Sequence, residues 1–83
     1  MHEFSMAEEL LNVVKANAAA NNAKRVASVK IRLSEASSVT PDALSFSFEA
    51  VSKGTIAENA SLIIERMPGG SDEIYLERVE LDV

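Results

Sequence analysis

The 83-residue sequence contains no cysteine and no tryptophan, and only one histidine, two prolines and three glycines. Without cysteine there is no disulfide and no thiolate zinc site in this chain. A single histidine, His2, leaves no base for a conventional nucleophilic triad. Ser5, Ser34 and Ser37 have no second imidazole to serve them, and a base at a chain terminus would not be held in place. Paired acids such as Glu8-Glu9 and Asp72-Glu73 are neighbours in sequence, so their side chains diverge on a helix or turn and read as solvated charge. The chain is therefore not expected to be an enzyme. No apolar run approaches the roughly 18 residues of a membrane span. The start lacks a basic segment followed by an apolar one, so no signal peptide is expected and the location reads as cytoplasmic. Positive charge is also scarce: the formal net charge is −5. The basic residues Lys24, Arg25, Lys30 and Arg32 lie in or beside one strand with no aromatic among them, which argues against nucleic-acid binding.

What is present describes one small globular domain spanning residues 1–83. Hydrophobic residues make up 47% and charged residues 25%, an ordinary balance. Phe4, Ala7, Leu11, Val14 and Ala18 recur at helical spacing, with Leu10 and Val13 widening the stripe. Ser5 and Glu8 have the spacing of a capping box. Asn17, Asn21 and Asn22 weaken the end of this helix, and a turn is expected near residues 20–23. Residues 26–33 alternate, with Ala27, Val29, Ile31 and Leu33 on one face and Ser28, Lys30 and Arg32 on the other, the signature of a strand buried on one side. A loop over residues 35–38 follows.

Thr40, Pro41 and Asp42 then announce a second helix: an N-cap, a proline suited to the first helical position, and an acid at the positive pole. Val39 and Leu44 occupy the positions of a hydrophobic staple. Leu44, Phe48 and Val51 form the buried stripe with Phe46 and Ala50 beside it, and Lys53-Gly54 closes the helix. Residues 60–67 and 74–83 read as strands. The Pro68-Gly69-Gly70-Ser71 turn between them predicts an antiparallel hairpin. Ile74 and Leu76 are out of phase with Val79, Leu81 and Val83, which predicts a bulge near Glu77-Arg78. A strand–helix–strand crossover would make the first two strands parallel if they are neighbours. The expected fold is α+β, a two-layer arrangement of a three-stranded mixed sheet with two helices, in the order helix, strand, helix, strand, strand.

The chemistry concentrates at the start. Methionine aminopeptidases generally require a small second residue, so the bulky His2 should leave Met1 and its free amine in place. The Met1 amine, the His2 amide and the His2 Nδ1 are then three nitrogens in sequence. Amine and amide close a five-membered chelate, and amide and Nδ1 a six-membered one. With the amide deprotonated the three lie in one plane, which suits Ni(II) or Cu(II) better than tetrahedral zinc. Glu3 can add its backbone amide as the fourth donor or a carboxylate nearby. Taken alone, a histidine at position 2 is an ordinary polar residue on a chain end.

The rest of the chain adds to this. Met1 to Ala7 (MHEFSMA), Ala23 to Val26, Glu35, Val39 to Glu49 (VTPDALSFSFE), Lys53-Gly54-Thr55, Ala60 to Glu65 and the closing strand Ile74 to Val83 together resemble the HypA family of hydrogenase and urease nickel-incorporation proteins. That resemblance implies a nickel site at Met1, His2 and Glu3 and a small sheet with two helices. It also implies a metallochaperone that passes Ni(II) to a hydrogenase precursor or a urease system, with a GTPase of the HypB type as partner. Family members carry a zinc module with two CxxC pairs between the last two strands. Here residues 68–72 (PGGSD) stand in that place, and no zinc is expected. A Gly-Gly-Ser turn serves equally as a natural short connection or as the join left by an excision. Ser34 stands where the family often has glycine, and Thr40 where it often has an acid, which reads here as a helix cap. Partner contacts would fall on the exposed side of the first helix, at Glu8, Glu9 and Asn12. The alternative function is an interaction domain that has lost metal delivery together with the zinc module. Its two free sheet edges leave a homodimer open.

Overall fold

The computed structural model describes residues 2–69 and 74–83, and of His2 the backbone alone. Five elements follow in the expected order: α1 (His2–Ala20), β1 (Arg25–Ser34), α2 (Pro41–Ser52), β2 (Ser61–Met67) and β3 (Ile74–Asp82). Helix α1 starts earlier than the Ser5–Glu8 box implied, so Ser5 lies inside the first turn and does not cap it. The early start lets Met6 join Ala7 in the core. The far end of α1 is closed by Asn22, whose φ of +53° is tolerated well by asparagine. The Ala23 amide donates to the Ala18 carbonyl at 3.0 Å and the Asn22 amide to that of Ala19 at 3.2 Å. This is a Schellman closure with asparagine in the usual place of glycine.

The three strands form one mixed sheet in the order β2-β1-β3, with β1 parallel to β2 and antiparallel to β3. The parallel pair is the crossover expected from β1-α2-β2. The hairpin expected between β2 and β3 is not formed; β1 lies between them. Turn chemistry reverses a chain locally but does not say which strand the reversed segment will pair with. Here β1 carries the most completely buried apolar face, through Val29, Ile31 and Leu33, and takes the centre. The link from Met67 to Ile74 must therefore step over one strand, about 10 Å at ordinary strand spacing, and six residues reach about twice that. Its first part rests on the end of β1: the Ser34 hydroxyl donates to the Gly69 carbonyl at 3.1 Å, and the Glu35 amide to that of Met67 at 2.8 Å. The rest of the expected turn, Gly70 to Asp72, lies outside the described residues.

Both helices pack on the sheet face that carries Val29, Ile31 and Leu33, with α1 nearer β3 and α2 nearer β2. Three details depart from the sequence pattern. The register of β1 against β3 slips between Val26 and Ser28, so Ala27 is an extra residue, and Val26 rather than Ala27 is buried, at 1% exposure. Phe46 is 70% exposed; standing two residues from both Leu44 and Phe48, it points to the opposite side of α2. Val13 is 53% exposed, at the rim of the α1 stripe. The bulge expected near Glu77-Arg78 is present, with Lys30 opposite Arg78 and Ile31 opposite Leu76, leaving Glu77 unpaired in the ladder.

Helix α2 starts as the sequence dictates. Thr40 has extended backbone (φ −84°, ψ 152°), and its Oγ1 accepts from the Ala43 amide at 3.2 Å. Val39 and Leu44 are both buried, as a staple requires. Gly54, just past the C-cap Lys53, has a φ of +77°, a value that a side chain would strain. Thr40→Ala is expected to lower stability by about 1 kcal/mol, within the 0.5–2 kcal/mol typical of a lost cap. Thr40→Asp should restore it, and urea unfolding midpoints of the three proteins check both.

Candidate metal centre

Of the three residues expected to bind metal, Met1 lies outside the described residues. His2 provides the first residue of α1, and Glu3 is half-buried in its first turn. The opening N–H groups of an α-helix have no intrahelical acceptor. The amides of His2 and Glu3 are thus free of the helical ladder, while Met6 and Ala7, one turn further on, are fixed in the core. His2 and Glu3 therefore stand at the start of a helix whose next turn is seated in the core. Beside it, Met6, Glu9, Leu10 and Val13 face Ile74 and Leu76 across a shallow groove, so this end of α1 adjoins the start of β3. Among the described residues there is no cluster of three or more histidine or acidic side chains placed to hold a metal ion.

The open face of the sheet carries a second set of charged groups. Lys30 Nζ lies 3.1 Å from Glu77 and 3.3 Å from Glu65, and Arg32 Nε lies 2.5 Å from Glu77 and 3.6 Å from Glu65. These four side chains tie all three strands together. Sequence alternation places Lys30 and Arg32 on the polar face, but Glu77 joins them through the bulge and a non-local pairing. Hydrogen bonds from Lys30 and then Arg32 hold the Glu77 carboxyl below the ordinary glutamate range. Hydrogen bonds to Glu77 and then Glu65 hold the Lys30 ammonium above the ordinary lysine range.

The sign of the pH dependence follows. The Glu77 contribution is present above the ordinary glutamate range and is lost as pH falls through the lowered folded value. That of Lys30 is present below the ordinary lysine range and is lost as pH rises through the raised one. Glu77→Gln is expected to lower stability at neutral pH and to flatten its fall on acidification, measured by urea unfolding between about pH 3 and pH 7. A slope identical to that of the parent would remove Glu77 as its source. Two further contacts extend the pattern toward the other end of the sheet: Ser28 Oγ donates to Glu80 at 2.5 Å, and Arg25 pairs with Asp82 at 2.5 Å.

Fold and candidate site together define a small α+β domain with two of its metal-ligand candidates, His2 and Glu3, on the first turn of the first helix. Residues 1–72 match the family described as "Hydrogenase/urease nickel incorporation, metallochaperone, hypA". The chain belongs to the HypA family. It is 44% identical over 68 residues to the hydrogenase maturation factor HypA of Picosynechococcus sp., a match covering 82% of this chain and 60% of that one. It is 45% identical over 69 residues to that of Rhizobium leguminosarum bv. viciae, covering 83% and 61%. The chain thus spans about 60% of the length of these relatives. The fold is shared with the solution structure of the Ni metallochaperone HypA from Helicobacter pylori, at a TM-score of 0.71 and 16% identity, over 95% of this chain and 92% of that one. Among the described residues, no helix is long and apolar enough to cross a membrane.

Proposed function

We propose that this domain binds Ni(II) as cargo through Met1, His2 and Glu3 and passes it to a hydrogenase or urease maturation system in the cytoplasm, with a GTPase of the HypB type as its partner. The observation that carries this reading is the start of α1 at His2. Ligation through the His2 and Glu3 amides breaks no helical hydrogen bond, because the first turn has none to break at these positions. The positive pole of the helix also favours the anionic amides that chelation creates. The Met1 amine, the His2 amide and the His2 Nδ1 supply three in-plane donors. The fourth place falls to Glu3, water or a ligand from the receiving protein, and a position that a recipient can fill suits a carrier that must release its metal.

Binding through deprotonated nitrogens releases protons, so affinity should rise with pH. The test is a Ni(II) titration of the protein with a free N-terminus against the same protein acetylated at Met1. Acetylation removes the terminal amine and the five-membered ring with it, and the acetylated form is expected to lose the planar complex and its visible absorption band. Equal binding by both forms would overturn the assignment.

A further inference from the structure

On the opposite side of the fold from the α1–β3 groove, α2, the turn that follows it and the start of β2 border an open cavity of about 300 Å³. Its floor is apolar, formed by Phe48, Ala57 and Leu62. Phe48 and Ala57 belong to the buried core, so that floor is rigid. Its polar lining comes from Ser45, Glu49, Ser52 and Asn59. Ser52 is 2% exposed, and its Oγ is the one buried side-chain polar atom without a hydrogen-bond partner among the described residues. A buried hydroxyl left unsatisfied is uncommon in native proteins and calls for an explanation.

The turn does not supply one, because it is closed by other groups. Thr55 donates from both its amide and its hydroxyl to the Ser52 carbonyl, at 3.0 and 2.6 Å, and the Ala57 amide donates to Thr55 Oγ1 at 3.1 Å. The Ser52 hydroxyl takes no part in this. Ser52 lines the cavity, and its hydroxyl, itself shut off from solvent, engages an occupant only by turning about χ1.

The lining selects the occupant by charge and size. Among the described lining residues Glu49, which is exposed, is the one charged group and none is cationic, so carboxylates and phosphates are disfavoured. Carboxylate, carboxamide and hydroxyl oxygens together offer acceptors for several N–H groups, above an apolar floor that accommodates methylenes. The volume lies at the small end of ligand sites, enough for a side-chain-sized group and too little for a nucleotide. We propose that this cavity binds a guanidinium or ammonium group on an aliphatic stem, held by Glu49 and the Ser52 hydroxyl. The site is on the β2 side of the sheet, does not depend on the nickel reading and does not share its residues.

The experiment is an amide chemical-shift titration of the full chain with n-butylguanidinium, with its neutral isostere n-butylurea and with butyrate. Saturable shifts centred on Glu49, Ser52, Ala57 and Leu62 are expected with the cation alone. Glu49→Gln should weaken binding by about tenfold, the scale of one charge-assisted contact. Ser52→Ala should also weaken it while leaving the unfolding midpoint unchanged or raised, because the variant removes a hydroxyl that nothing in the fold satisfies. A short capped peptide bearing one arginine separates the two sources of this chemistry. Tighter binding of the peptide assigns the site to a partner protein's arginine, and equal binding assigns it to a free cation. Equal response to n-butylurea, absence of saturable shifts, or binding indifferent to Glu49→Gln would each overturn the proposal.

Discussion

In the His2→Leu protein, nickel affinity is expected to fall by at least a hundredfold while the unfolding midpoint stays close to that of the parent. Loss of an outer-shell partner commonly costs about 10–100-fold in metal affinity. His2 supplies a primary donor, and removing its ring also removes the six-membered chelate that holds the neighbouring amide in the plane. Leucine, too bulky for the aminopeptidase to release Met1, keeps the backbone amide and the Met1 amine, so a weak two- or three-nitrogen complex should survive with altered absorption. Stability should change little because the core contribution of α1 begins at Met6 and Ala7, beyond the first turn. Leucine is also a good helix former. The readouts are a Ni(II) titration and a thermal melt on the same preparation. Parent-like affinity would remove His2 as a ligand, and a large drop in melting temperature would show that the helix start is structural.

The second large effect is expected at the centre of the sheet. Ile31 is fully buried, stands in the middle strand, and is in register with Ile64 on β2 and Leu76 on β3. Ile31→Ala would leave a void beneath both helices, with apolar neighbours from all three strands losing contacts. The expected cost is about 2–5 kcal/mol. A domain of this size has a total stability of roughly 4–12 kcal/mol, so the variant should lose from about a sixth to all of it. In a thermal melt followed by circular dichroism the midpoint should drop by about 10–30 °C. Ile31→Val, which removes one methyl, should cost about 0.5–1.5 kcal/mol. An alanine variant within 1 kcal/mol of the parent would show that the helices can settle into the void.

The difference between what sequence showed and what it hid follows the range of the interactions. The start of α2 was legible because its cap, proline and staple all lie within residues 39–44, and each acts on its neighbours. The bulge at Glu77 was legible because the apolar phase visibly inverts across it. The bulge at Ala27 was not: Val26 and Ala27 are both apolar, so the slip leaves no break in the pattern. Strand order was hidden for another reason. A proline-glycine turn specifies a reversal, whereas the choice of β1 as the centre is decided by burial summed over the whole sheet.

Phe46 is hydrophobic, yet its angle on α2, two residues from both Leu44 and Phe48, turns it to solvent. The candidate metal ligands were legible as chemistry, since their chelating atoms are consecutive along the backbone. The ion network at Lys30 and Glu77 needs a partner 47 positions away and a bulge to present it. The cavity beside Ser52 left no trace, because a serine in a helix resembles any other polar position until its surroundings are known.

The central place of β1 bears on how the molecule comes into being on the ribosome. Arg25 pairs with Asp82 across 57 positions, and β3 covers β1 along nearly its whole length. While residues 74–82 are still being added, the middle strand has an unfilled flank, and α1 has no third strand to lean on. Helix α1 precedes β1 in the chain, yet the platform that seats it is completed by β3, the last of the five elements. In this domain the first helix is therefore made before the strand that flanks it, and α1 is complete while part of its support is still being added.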